Sequence, residues 1–210
     1  MIDISAYVLI GGRSSRLGRD KALVEIDGTS LAERSVRTLN EAFPDRGATL
    51  IAAQGDQFAG RFAAYRLITD TRIGRGPFGA LNAALGDAAT EWIIVLACDL
   101  PFVTADLLRH LARKAGPGVD AVVPMQPDGR LQPLAAIYRT PALLQPVKAV
   151  LESDVTPALA SLVEGIQATV IPFSDIAGLP EAEHFFVNIN TSDDLEKAVT
   201  ITRQYSSKSY

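Results

Sequence analysis

A chain of 210 residues is the length of one domain, since domains run to roughly 100–200 residues, and its 48% hydrophobic and 21% charged content excludes disordered or fibrous architecture. With 20 Lys and Arg against 24 Asp and Glu, the net charge of −4 excludes a surface that gathers nucleic acid or acidic membrane without specificity.

The N-terminal MIDISAYVLIGG has no basic segment, and its apolar run is too short for a signal or a membrane span, so no membrane association is expected. Residues 4–10 read as the first strand, which runs into a glycine-rich basic loop at 11–21. A helix over 30–43 follows, with Leu31, Val36, Leu39 and Phe43 on one face, and then strands at 49–53 and 66–69. After a glycine turn come a helix over 78–89, a strand over 92–97 and a helix over 104–115 that opens with a Thr cap. The second half reads as strands at 121–124 and 134–138, helices at 141–151 and 157–163 with Pro near each first turn, and strands at 168–171 and 184–187. A helix over 191–202 closes the pattern, and the polar residues 206–210 read as a tail after a domain spanning 1–205.

Strands alternate with helices, and most strands are continuously apolar, as strands covered on both faces must be. The expected fold is therefore α/β, a single domain with a mainly parallel central sheet and helices on both faces. No fixed-period repeat and no Ser/Gly/Pro-rich linker divides the chain. Cys98 is the only cysteine, which rules out an intrachain disulfide and suits a reducing cytoplasm. His110 and His184 are too few for a His-rich metal centre, so any metal should be a hard, oxygen-bound ion.

Four segments carry candidate chemistry. The loop Gly11-Gly12-Arg13-Ser14-Ser15-Arg16-Leu17-Gly18-Arg19-Asp20-Lys21 offers backbone N–H groups unobstructed by Cβ atoms, beside cationic side chains. Phosphate is its natural guest, at the strand edge where open α/β sheets bind ligands, although a solvated basic turn has the same composition. Its spacing fits neither the Walker pattern nor G-x-G-x-x-G, which disfavours a P-loop NTPase and a dinucleotide fold. Asp99 ends the apolar strand at the same edge and suits Mg²⁺, which takes one or two carboxylates plus waters and substrate phosphates. Helix capping is the other use for it, but Thr104 is better placed to cap. Cys98 beside it reads as an apolar filler.

Asp70 ends another strand, just before the glycine turn Gly74-Arg75-Gly76-Pro77 that opens a helix; it is equally a ligand contact or a turn residue. Asn188 and Asn190 can point the same way if their segment stays extended, with Asn190 or Thr191 capping the last helix.

Taken in order, Leu9-Ile10-Gly11-Gly12 through Lys21, Gly76-Pro77, Asp99-Leu100-Pro101, Gln132-Pro133-Leu134 and Asn188-Ile189-Asn190-Thr191 closely resemble the molybdenum cofactor guanylyltransferases of the MobA type. Those enzymes belong to the NTP-transferase group with a Rossmann-like GT-A fold. The likeness runs from Leu9 to about Lys197.

The resemblance implies a Mg²⁺-dependent nucleotidyltransferase that moves GMP from GTP to the terminal phosphate of molybdenum-bound molybdopterin and releases pyrophosphate. It places Leu9, Ile10 and Gly11 at the nucleotide, with Gly76 and Pro77 turning toward it. Gly12 and Arg16 would lie at the triphosphate, Lys21 on its phosphates, Asp70 on the nucleotide, and Asp99 on Mg²⁺. Arg16, Lys21 and Asp99 are then the catalytic group. Gln132, Asn188 and Asn190 would face the pterin side or complete the metal region, and transient contact with other molybdenum-cofactor proteins is implied. The chain departs from the family's usual Ala at Ile10 and Met at Leu17, and Gln54 stands where relatives often carry an Asn on the base. Two alternatives stay open. One is a cytidylyltransferase, or another NTP transferase with a phosphorylated acceptor; the other is a non-catalytic nucleotide- or cofactor-binding module.

Overall fold

The structure, a computed structural model, describes residues 2–206 apart from 12, 15–18, 46, 56, 59 and 73; at 13, 14, 19, 205 and 206 the backbone alone is described. Strand β1 (Ile4–Leu9) leads into a hairpin of β2 (Arg13–Ser14) and β3 (Arg19–Asp20), a 3-10 turn over Lys21–Leu23, and a second hairpin of β4 (Glu25–Ile26) and β5 (Thr29–Ser30). Helix α1 (Leu31–Ala42) is followed by β6 (Thr49–Ala52), β7 (Leu67–Thr69), α2 (Pro77–Asp87), β8 (Trp92–Ala97) and α3 (Ala105–Ala112). Then come β9 (Ala121–Pro124), β10 (Ala135–Arg139), α4 (Thr140–Glu152), α5 (Leu159–Glu164), β11 (Ala168–Ile171), α6 (Phe173–Ile176) and α7 (Ser192–Ser206).

Seven strands make one sheet in the order β11-β9-β10-β8-β1-β6-β7. Every pairing in it is parallel except those of β10, which runs antiparallel to both neighbours, so the sheet is mainly parallel. The two-residue period of each strand sends alternate side chains to opposite faces. Ile4, Ala6, Val8, Ile94, Leu96 and Leu50 pack on one face with α1, α3 and Ala198 of α7. Tyr7, Leu9, Ile93, Val95 and Ile51 pack on the other with α2, α4 and α5. Helices thus cover both faces, and each fully buried Leu, Ile or Val there stabilises the fold by about 1.5–3 kcal/mol.

Helix α1 begins at a capping box, with Ser30 Oγ accepting from Glu33 N–H and the Glu33 carboxylate accepting from Ser30 N–H. The Ser30 hydroxyl, donating to Glu33 Oε2 at 2.6 Å, does most to hold the Glu33 carboxyl below its usual range, and the Ser30 N–H adds to it. Thr104 caps α3 as its sequence context predicts.

Three expectations need correction. Residues 184–187 form no strand: Ala182–His184 is a 3-10 turn and Phe185 is fully buried, so the apolar run plugs the core without joining a ladder. The helix expected from Pro157 starts at Leu159, because Ala158 is still extended at φ −64° and ψ 145°. The last helix continues to Ser206, with no Gly or Pro to stop it, one residue into the expected tail; residues 207–210 lie outside the described residues. Among the described residues no helix is long and apolar enough to cross a membrane.

Candidate active site

Strands β1, β6 and β8 end at the same edge, and there the chain opens into a cleft of about 760 Å³. The Ile10 and Gly11 N–H groups both donate to the Ile51 carbonyl, at 3.0 and 3.1 Å, so the chain leaves β1 still held against β6. Gly11 passes so close to β6 that a Cβ on it would stand 2.7 Å from Ala53 N, and the obstacle is backbone. Beyond it, β2 pairs antiparallel with β3, which leads the chain to Asp20 and Lys21. Gly12, Arg16, Leu17 and Gly18 lie outside the described residues.

Lys21 Nζ donates to Asp99 Oδ2 at 2.8 Å and to Asn190 Oδ1 at 2.5 Å. Three segments far apart in sequence therefore meet at one ammonium. Asp99 is carried there by β8, because Cys98 N–H donates to the Leu9 carbonyl and fixes the strand end. The Ile189 N–H donates to the Asp99 carbonyl, which brings Asn190 alongside. Thr191 is the cap of α7: its Oγ1 accepts from Asp194 N–H, and the Asp194 carboxylate accepts from the Asn190 and Thr191 N–H groups. The Asn190 N–H, first among these, holds the Asp194 carboxyl below its usual range. Capping by Thr191 leaves the Asn190 side chain to reach Lys21. Both Lys21 and Asp99 are mostly buried, with side chains 17% and 19% exposed.

On the far wall, Asp70 N–H donates to the Ala52 carbonyl and Asp70 Oδ1 accepts from Arg72 N–H at 2.7 Å. Asp70 is thus a turn residue and a cleft-lining residue at once. Burial pushes its carboxyl above the usual range. Gly76 and Pro77 open α2 into the same cleft. Arg75 straps this turn down by donating to the carbonyls of Val150, Leu151 and Ser153 at the end of α4.

Leu9, Ile10, Gly11, Lys21, Gln54, Asp70, Gly76, Pro77 and Asp99 accordingly share one cleft. Asn190 joins through Lys21. Gln132 and Asn188 do not line it: Asn188 is exposed, and Gln132 belongs to the turn before Leu134, which does line it. Sequence reasoning passed over Gln57, whose Oε1 accepts from Ala53 N–H at 3.0 Å while its Nε2 donates to Asp20 Oδ1 at 3.2 Å. A glutamine three residues after Gln54 in a polar turn carries no signal for such a bridge. Cys98 is buried, and burial pushes its thiol well above the usual range, which suits a filler and not a nucleophile. Among the described residues no cluster of three or more His, Cys, Asp or Glu side chains forms a ready metal cage.

The family described as "MobA-like NTP transferase domain" matches residues 6–167. A probable molybdenum cofactor guanylyltransferase of Peptoclostridium acidaminophilum is 30% identical over 206 residues, which is 95% of this chain and 90% of that protein. Its counterpart in Opitutus terrae is 34% identical over 92% of this chain and 94% of its own length. The crystal structure of molybdopterin-guanine dinucleotide biosynthesis protein A from Archaeoglobus fulgidus superimposes with a TM-score of 0.79 at 26% identity, covering 95% of this chain and 99% of that one. A cytidylyltransferase from Leptospira borgpetersenii shares the fold at 11% identity, with a TM-score of 0.70 over 95% of this chain and 86% of its own.

Proposed function

Because the chain belongs to the MobA-like NTP transferase family, we propose that it transfers GMP from GTP to the terminal phosphate of molybdenum-bound molybdopterin. An oxygen of the acceptor phosphate bonds to the α-phosphorus, the bond from that phosphorus to the bridging α–β oxygen breaks, and pyrophosphate leaves. The observation that carries this reading is the meeting of Lys21, Asp99 and Asn190 at one edge of the cleft.

Such a displacement builds negative charge on the α-phosphate oxygens and on the departing pyrophosphate, so positioning and charge neutralisation do most of the catalytic work. The acceptor is already an anion and needs no strong base. Lys21 supplies positive charge to the phosphates, and Arg16 is assigned to the triphosphate as well. Leu9, Ile10 and Gly11 form the floor under the nucleoside, Gln54 and Asp70 flank it, and Gly76 and Pro77 turn the start of α2 toward it. Leu134, which lines the cleft, and Asn190, which reaches it through Lys21, lie on the acceptor side.

The residues present fit a divalent cation. Asp99 Oδ2 and Asn190 Oδ1 already converge on a single positive centre, the Lys21 ammonium, and both are hard oxygen donors of the kind Mg²⁺ takes. Asp99 would hold Mg²⁺, which supplies neutralising charge on the phosphate oxygens when bound. Before that, Lys21 keeps the Asp99 carboxylate neutralised. A single free thiol, buried at Cys98, supports a reducing cytoplasmic setting.

Pyrophosphate release is the test, measured with each of the four NTPs, Mg²⁺ and molybdenum-bound molybdopterin. Release with GTP is the expected result. Activity with CTP alone overturns the guanylyl assignment, and silence with all four overturns the transfer itself.

A further inference from the structure

Gly79 lies in the first turn of α2, and a Cβ built on it would meet Asp70 Oδ1 first and stand 2.6 Å from Asp70 Cγ and 2.7 Å from Asp70 Oδ2. Both separations are far inside contact distance, so the Asp70 carboxylate occupies the space that any other residue at 79 would need. The helix gives no reason of its own for this glycine. Its φ lies outside the left-handed region, and a glycine inside a helix weakens it relative to alanine. The contrast with Gly11 is informative: there the obstacle is the backbone of Ala53, here it is the end of a flexible side chain.

We propose that Gly79 is a positioning residue for nucleotide binding: its missing side chain seats the Asp70 carboxylate against α2 and keeps it turned into the cleft as an acceptor for N–H or O–H donors of the nucleoside. This rests on the nucleotidyl-transfer reading. Asp70 Oδ1 is fixed by the Arg72 N–H, while Oδ2 carries no hydrogen bond among the described residues. Burial, with no cationic partner among the described residues, disfavours the charged carboxylate, which makes a ligand donor there more valuable. On its other side Asp70 borders a second hollow of about 640 Å³, shared with Arg72 and Arg75. A methyl at position 79 drives the carboxylate toward that hollow and away from the nucleotide. The fold tolerates this, because only a side chain moves.

The test is a double-mutant cycle on Gly79→Ala and Asp70→Ala, reading KM for GTP, kcat and Tm. Asp70→Ala should raise KM by about ten- to a hundredfold, the worth of a hydrogen bond to a charged group, and Gly79→Ala should match it with kcat nearly unchanged. In the Asp70→Ala background, Gly79→Ala should leave KM where it is and raise Tm, since alanine favours a helix once the clash is gone. Multiplying effects, or a wild-type KM in Gly79→Ala beside a raised KM in Asp70→Ala, would overturn the proposal. An unchanged KM in Asp70→Ala would instead overturn the nucleotide role of Asp70 itself.

Discussion

Replacing Lys21 by alanine separates what this residue does for the fold from what it does for the reaction. The ammonium lies 2.8 Å from Asp99 Oδ2, and both side chains are less than one-fifth exposed. At an effective dielectric near 20 that separation corresponds to about 6 kcal/mol of attraction, most of which the loss of hydration offsets. Truncation leaves Asp99 with an open face to water, so the cost in stability should be about 1–3 kcal/mol, a fall in Tm of roughly 3–10 °C for a protein of this size. The effect on catalysis should be larger: removing one preorganised charge commonly lowers turnover by about two to three orders of magnitude. Mg²⁺ adds a third readout. A metal that takes Asp99 Oδ2 and Asn190 Oδ1, the two oxygens that accept from Lys21, would displace the ammonium, whereas in Lys21→Ala both oxygens are already open, so Mg²⁺ alone should raise the Tm of the variant more than that of the wild type. Pyrophosphate release and calorimetry with and without Mg²⁺ provide the measurements. Wild-type turnover in Lys21→Ala would refute the assignment of its charge to the phosphates, and equal Mg²⁺ shifts would refute competition at Asp99.

Two further outcomes follow from contacts away from the ammonium. Arg66 hydrogen-bonds Asp87 through both guanidinium ends, and this, with the Tyr7 hydroxyl donating at 2.8 Å, holds the Asp87 carboxyl below its usual range. A depressed folded value means the contribution is present above the unfolded value of about 3.9 and is lost as pH falls through the folded one. The stability gap between wild type and Asp87→Asn should therefore be of order 1 kcal/mol near pH 7 and shrink below about pH 4, as denaturant melts across pH would show; a gap independent of pH would contradict it. Gln57→Leu should unfasten Asp20 from the end of β6 and raise KM for GTP by about three- to tenfold while leaving the fold intact, since each bond it removes is worth about 0.5–1.5 kcal/mol. Unaltered kinetics in that variant would mean the bridge does not set the loop.

Much of the architecture is readable from apolar runs alone. The strand over 92–97 and the alternation of Ile93 and Val95 with Ile94 and Leu96 already imply two cores, one on each side of a buried sheet. Strand direction is not written in such a run, so the reversal of β10 is invisible until its neighbours are known. The aromatic run 184–187 misleads for the same reason, since hydrophobicity reports burial and not ladder pairing. The short hairpin over 25–30 carried a usable signal in Asp27-Gly28, both at positive φ, but its two-residue strands are too short for periodicity to register. At the cleft, residues that end strands could be placed at one edge from the sequence. The contact between Lys21 and Asn190, 169 positions apart, could not, because it depends on Thr191 and not Asn190 taking the cap.

The reversed β10 has a further consequence for how this scaffold can diversify. A strand antiparallel to β8 begins at the edge where β8 ends, and so Leu134, just ahead of it, reaches the cleft from a tight turn bridged at Met125 and Leu131. Lengthening or recolouring that turn would re-tailor the β10 side of the cleft without disturbing any ladder between β1, β6, β7 and β8. On the proposed reading, the strands that hold the nucleotide donor would stay fixed while this turn is fitted to new acceptors.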